Sequence, residues 1–168
     1  MTIFPIYFRN LSCKLFVHEI ENSSFTIGPF SIQSCHVTKP GPTVGFRIES
    51  RQHVFTYIPD HEPVLGSSEL IKDIKWLSGS DLALNADLLL HDAQYTLEEY
   101  KDKVGWGHSS MEDAIQFASL TGVKHLLLTH HDPMHSDAQL HHFFKRLKEN
   151  VACSISYEMA YEGLKFEL

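Results

Sequence analysis

The chain is poor in cysteine, short of positive charge and without a long apolar run. Its three cysteines, Cys13, Cys35 and Cys153, are odd in number and far apart, with no C-x-x-C pair. That spacing gives no zinc knuckle and no disulfide framework, and it fits reduced thiols in a cytoplasmic compartment. Fourteen Lys and Arg against 21 Asp and Glu leave a formal charge of −7. Bulk charge of that sign does not draw a protein to nucleic acid or to an anionic membrane, although it leaves room for a local cationic site, including one made by a metal. No segment approaches the roughly 18 to 20 consecutive apolar residues that a membrane span requires. The opening "MTIFPIYFRN" lacks the basic stretch that precedes the apolar core of a signal peptide. What is present is ordinary for a water-soluble domain: 168 residues, 43% hydrophobic and 21% charged. That length fits a single domain over 1–168 with a sizeable core.

The first third reads as strands. "KLFVHEIE" and "FSIQSCHV" alternate apolar and polar residues, and "TVGFRIES" and "HVFTYIP" are rich in β-branched and aromatic side chains. "ENSS", "KPGP" and "SRQ" separate them as turns. From Ser67 the texture changes. "SSELIKDIKWLSG" carries apolar residues at helical spacing, and "ADLLLHDA" reads as a buried strand. "SSMEDAIQFASLTG" opens with Ser110 and Asp113 in a capping-box pattern. "VKHLLLTH" predicts a strand, "SDAQLHHFFKRLKEN" a helix, and "SISYEMAYEGLKFEL" one or two closing strands. An antiparallel β half followed by alternating helices and strands implies an α/β or α+β layered fold, a mixed sheet with helices on one face.

Histidine is the excess residue, twelve in all. Most of them have an ordinary reading as solvated or hydrogen-bonded side chains, and His141 and His142, inside a helix-like segment, are of that kind. Three predicted strands, however, end alike: in Asp60, His61 and Glu62, in His91 and Asp92, and in His130, His131 and Asp132. If they lie side by side in one direction, their tips form a single rim of carboxylates and imidazoles. A fourth segment, "VGWGHSS", sets His108 in a Gly-flanked turn before a helix. Such a rim suits zinc, manganese or iron, and it equally suits acid–base chemistry. Tyr57, Tyr95 and Trp106 read as packing residues, and Arg47 as one half of a salt bridge on a strand face.

The ordered run "GPTVGFRIES…VFTYIPDHEP…ADLLLHDAQYTLEEY…VGWGHSSMEDAIQFASLTGVKHLLLTHHDP" resembles the second half of a metallo-β-lactamase-fold hydrolase. It looks most like the branch holding tRNase Z and related phosphodiesterases. The resemblance implies the C-terminal half of an αββα sandwich with a dinuclear metal site along one sheet edge. It implies that Asp60 bridges two metals, that His130 is the last metal-binding histidine, and that Asp92 and His108 act in proton transfer. The reaction implied is metal-assisted hydrolysis of a phosphodiester or small-molecule substrate, with His108, oriented by Asp92, protonating the leaving group.

The sequence departs from that family at two points. The H-x-H-x-D-H signature of the first half matches no window of the 168 residues, and a further metal-binding histidine is replaced by Lys39. His36 lies three residues before Lys39 and could stand in only after a shift of strand register, because three residues reverse the face. A protonated lysine cannot ligate a metal, so Lys39 would either hold a phosphate or neutralise Asp60. The expected site is therefore partial: zinc (or manganese or iron) bound weakly or not at all, and little activity from this chain alone. The half-fold would leave an apolar sheet face, carrying Leu15, Val17 and Ile32, to be covered by a homodimer or by a chain supplying the first half. A non-catalytic binding or interaction module is the alternative reading.

Overall fold

Residues 10–67, 69–71 and 73–167 are described by the computed structural model. Four antiparallel neighbours come first: β1 (Ser23–Ile27), β2 (Phe30–His36), β3 (Val44–Glu49) and β4 (Val54–Ile58). Gly28 and Pro29 make the two-residue turn between β1 and β2, with Gly28 at φ 58° as such a turn demands. Three strands then add in parallel: β5 (Leu88–Asp92), β6 (His125–Thr129) and β7 (Ser156–Met159). The seven strands lie in sequence order. Parallel neighbours need crossovers, and these carry the helices: α1 (Ser80–Ala83), α2 (Leu97–Tyr100), α3 (Met111–Leu120) and α4 (Asp137–Asn150).

The alternation of strand side chains decides which face is core. Thr56 and Ile58, Leu89 and His91, and Leu126 and Leu128 are buried on one face, packed with Leu82, Met111, Ile115, Phe117 and Leu147 of the helices. The opposite face carries Phe46, Ile48, Phe55, Tyr57, Leu88, Leu90 and Leu127, in register across β3 to β6, and extends through Ile32 to Ile27 and Phe30. No helix covers that face among the described residues. Ile27, Phe30 and Tyr57 are exposed on it.

Two expectations are corrected. "KLFVHEIE" forms no strand, and Leu15 and Val17 are exposed. The tight β1–β2 turn fixes the register, and at its far end the side chain of Asn22 takes the backbone N–H of His36 (2.7 Å), which closes the ladder before residues 14–21 can join it. In "SSELIKDIKWLSG", of which residues 68 and 72 lie outside the described ones, the described residues form a 3-10 turn, Ile74–Trp76, where a helix was expected. Asp73 caps that turn, and Gly79, at φ 72°, starts α1 instead of ending a helix. The C-terminal segment provides one strand, β7, within the one or two expected. Ser110 is the N-cap of α3 as expected, but the Asp113 carboxylate accepts from its hydroxyl, not from its backbone N–H.

Candidate metal and proton-transfer site

Parallel pairing of β4, β5 and β6 brings their C-terminal ends to one edge. Asp60 lies two residues past β4, Asp92 is the last residue of β5, and His130 directly follows β6. His108 comes from the glycine-flanked turn that leads into α3. Asp60, His108 and His130 each offer a ligand atom, all within 4.8 Å of one another. His130 Nε2 stands 3.2 Å from Asp60 Oδ1, and the His108 and His130 rings are stacked, 5.0 Å between centroids. His130 has φ 59°, a left-handed conformation that costs a non-glycine residue about 1–2 kcal/mol. The strand above it is tied down by Thr129, whose hydroxyl donates to His91 O (2.9 Å).

Behind this group lies Asp92, fully buried. Its Oδ2 accepts from His108 Nδ1 (2.6 Å) and from the His61 backbone N–H (3.0 Å), and its Oδ1 accepts from the Gln94 N–H (3.1 Å). The carboxylate thus fixes Nδ1 as the protonated nitrogen of a neutral His108 ring and leaves Nε2 to exchange a proton or bind a metal.

Lys39 occupies the other oxygen of Asp60, with Nζ 2.5 Å from Oδ2. Partial burial pushes the Asp60 carboxyl up, but Lys39, His130 and His108 outweigh that and hold it below the usual carboxylate range. The residue before the lysine is held at both of its backbone groups. Thr38 N–H donates to Ser78 Oγ (2.8 Å), and Glu62 N–H donates to Thr38 O (3.1 Å). Gly107 (φ 86°) gives the lysine room, since a Cβ there would fall 2.5 Å from Pro40 Cδ and 2.6 Å from Lys39 Cγ.

Not every polar residue at the three tips joins the rim. His61, Glu62 and His91 turn inward and are buried. His91 Nδ1 meets the Asp92 carbonyl (2.6 Å), which only accepts, so His91 Nε2 is the acceptor for His61 Nδ1–H (2.8 Å). Burial holds both imidazoles below their ordinary pKa, His61 the more so, with His91 adding to its shift. Glu62 accepts from the N–H groups of Gly66, Gly105 and Gly107 and from Tyr100 OH, at 2.7 to 3.0 Å. It ties the turn bearing His108 to the segment after β4, an anchoring role that its place beside Asp60 in sequence did not announce. Glycines at 66, 105 and 107 were the available signal, since close backbone donors are what a buried carboxylate needs.

His36 stays outside the group: it is exposed at the end of β2, with Nδ1 3.4 Å from Thr43 O. Asp132 caps a turn at Met134 N, and His135 pairs with Glu99 (2.8 Å). Arg47 pairs with Glu49 (2.7 Å) and donates to the carbonyls of Leu82 and Leu84. Tyr95 is buried edge-on to His108, and Trp106 is exposed under Lys103.

Asp60 and His130 offer a carboxylate and an imidazole to one divalent ion with open positions, and His108, backed by a buried carboxylate, stands beside them within reach of the same place. They do not fit two ions, because an ammonium already stands on Asp60 Oδ2.

Comparison with known proteins gives the same frame. Ribonuclease Z of Trichodesmium erythraeum is 25% identical over 178 aligned residues, covering 94% of this chain and 54% of the relative. The chain therefore spans about half the length of that relative. Among solved structures, the metallo-β-lactamase fold protein YhfI of Bacillus subtilis superposes with a TM-score of 0.65 at 22% identity, over 88% of this chain and 54% of that one. Human tRNase Z, short form, gives 0.57 at 21%, over 83% and 44%. These likenesses establish the fold. The profile of the Beta-lactamase superfamily domain matches residues 2–131, most of the chain, and the chain belongs to that family.

Proposed function

We propose that this chain carries one half of the active site of a metal-dependent, phosphodiesterase-like hydrolase. One observation carries the reading: Asp60, His108 and His130 converge at one sheet edge with Asp92 buried behind His108. Asp60 and His130 would hold the ion, zinc or else manganese or iron. When bound, it would supply Lewis acidity and positive charge at the reacting centre. His108, with Nδ1 tied to Asp92, would take a proton at Nε2 from water and pass it to the leaving group, and Asp92 stabilises the imidazolium formed in between. Lys39 engages Asp60, which supports its neutralising role over a hold on substrate phosphate. Similarity to ribonucleases Z makes an RNA phosphodiester one candidate substrate, although a charge of −7 gives no general attraction for nucleic acid.

The apolar face of β1 to β6 is the natural seat for the rest of an αββα sandwich, contributed by a partner chain or by a second copy. No helix among the described residues is long and apolar enough to cross a membrane. We place the domain in the cytoplasm on its unpaired cysteines.

Cobalt(II) titration followed by visible absorption, with a chromogenic phosphodiester as substrate, tests the proposal. We expect one weakly held ion, lost in Asp60→Ala and in His130→Ala, and slow metal-dependent turnover that His108→Ala abolishes. Metal binding with no turnover would instead support the second reading, a non-catalytic interaction module, which the Lys39–Asp60 contact favours.

A further inference from the structure

We propose that Lys39 is a tethered cation that competes with metal for Asp60, so that the rim takes a single divalent ion, on the Oδ1 side, and takes it weakly while the lysine remains. This rests on the metal-binding reading above. A carboxylate can serve two cations, one on each oxygen. Here the oxygens are already distinguished: Oδ2 holds the Lys39 ammonium at 2.5 Å, and Oδ1 faces His130 Nε2 at 3.2 Å. The Oδ1 side is also where the two imidazoles gather.

The lysine is a built part of the rim. Its side chain is only 20% exposed, its neighbour Thr38 is hydrogen-bonded through both backbone N–H and C=O, and its stem fills the space that Gly107 leaves open. A surface lysine that met a carboxylate by chance would need neither the clamp nor the glycine. Because the tether keeps the ammonium at high local concentration, an arriving dication must share Asp60 with it or displace it. Charge repulsion between the two then weakens binding to the histidine side as well.

The proposal predicts what removing the cation does. Lys39→Met keeps the aliphatic stem against Gly107 and deletes the charge, Lys39→Gln keeps a polar end, and Lys39→Arg keeps the charge. Calorimetric titration of the full chain with cobalt(II) chloride should show at most one ion bound to the wild type. Affinity should rise at least tenfold in both Lys39→Met and Lys39→Gln and stay near wild type in Lys39→Arg. Circular dichroism confirms that each variant is folded, and either neutral variant suffices. Unchanged or weaker affinity in the folded neutral variants would overturn the competition while leaving the metal site intact, as would two ions bound to the wild type. If neither wild type nor neutral variants bind cobalt, both the competition and the metal-dependent function fall.

Discussion

Asp92 Oδ2 lies 2.6 Å from His108 Nδ1, although 16 residues separate them in sequence and one is fully buried while the other reaches the rim. Asp92→Asn would put an amide NH₂ or a single carbonyl oxygen against donors that now meet two acceptor oxygens. We expect a loss of about 1–3 kcal/mol, the usual penalty for leaving buried polar groups unpaired, read by urea unfolding. Phosphodiester turnover, where detected, should fall about 10²- to 10⁴-fold, the range for disabling a positioned acid–base group. Nitrogen NMR should show the proton of His108 no longer confined to Nδ1.

His130 separates site chemistry from backbone strain. Its φ of 59° makes glycine the better-tolerated replacement, so His130→Gly should be more stable than His130→Ala by about 1 kcal/mol. Both should lose cobalt. Equal stability of the two variants in thermal unfolding would contradict the strain assigned to this residue.

Glu62→Gln tests the anchor of the His108 turn. Four donors converge on this carboxylate, and the amide can accept well on only one atom. We expect destabilisation of about 1–3 kcal/mol and faster hydrogen exchange at Gly105 and Gly107 than in the wild type.

Acid should weaken the fold through His61 and His91. Burial lowers both pKa values in the folded state, so below about pH 6.5 the unfolded chain binds protons that the folded chain refuses. Stability is therefore full above pH 6.5 and declines as pH falls toward 5, ahead of the lower range in which Asp60, Asp87 and Glu99, all held below their ordinary values, are protonated. Melting temperatures measured from pH 7.5 to 5 should show this slope, and His61→Gln should flatten it.

The face that no helix covers among the described residues predicts association. Ile27, Phe30 and Tyr57 are exposed beside half-buried Phe46, Ile48 and Phe55, a contiguous apolar surface of the kind that marks an interface. Sedimentation at micromolar concentration should show a dimer or larger species, or dye binding to a monomer. A monomer that binds no apolar dye would contradict this.

Much of the site frame was legible because strand ends are marked chemically. The runs "VFTYI", "LLLHD" and "HLLLT" are β4, β5 and β6, and their acidic and imidazole ends meet as the parallel reading requires. What adjacent residues at each tip do was not legible. Asp60 and His61 are neighbours, yet one meets the rim and the other packs edge-on to Phe117. Only the position of α3 over one face settles which. The segment 14–21 misled for the opposite reason: its alternation is broken by the run Leu15, Phe16 and Val17, and alternation does not supply a pairing partner.

The order of the parallel strands has a consequence for when this site comes into being. Asp60 and His130 can meet only after Phe55 has paired with Leu88 and Leu88 with His125, contacts between segments more than thirty residues apart. Loop closure over such distances is slow compared with helix or hairpin formation. The β1–β2 hairpin can form early and locally, whereas the rim exists only once the last central strand has docked. Its appearance during refolding, followed through the environment of His130, would time the final step of assembly.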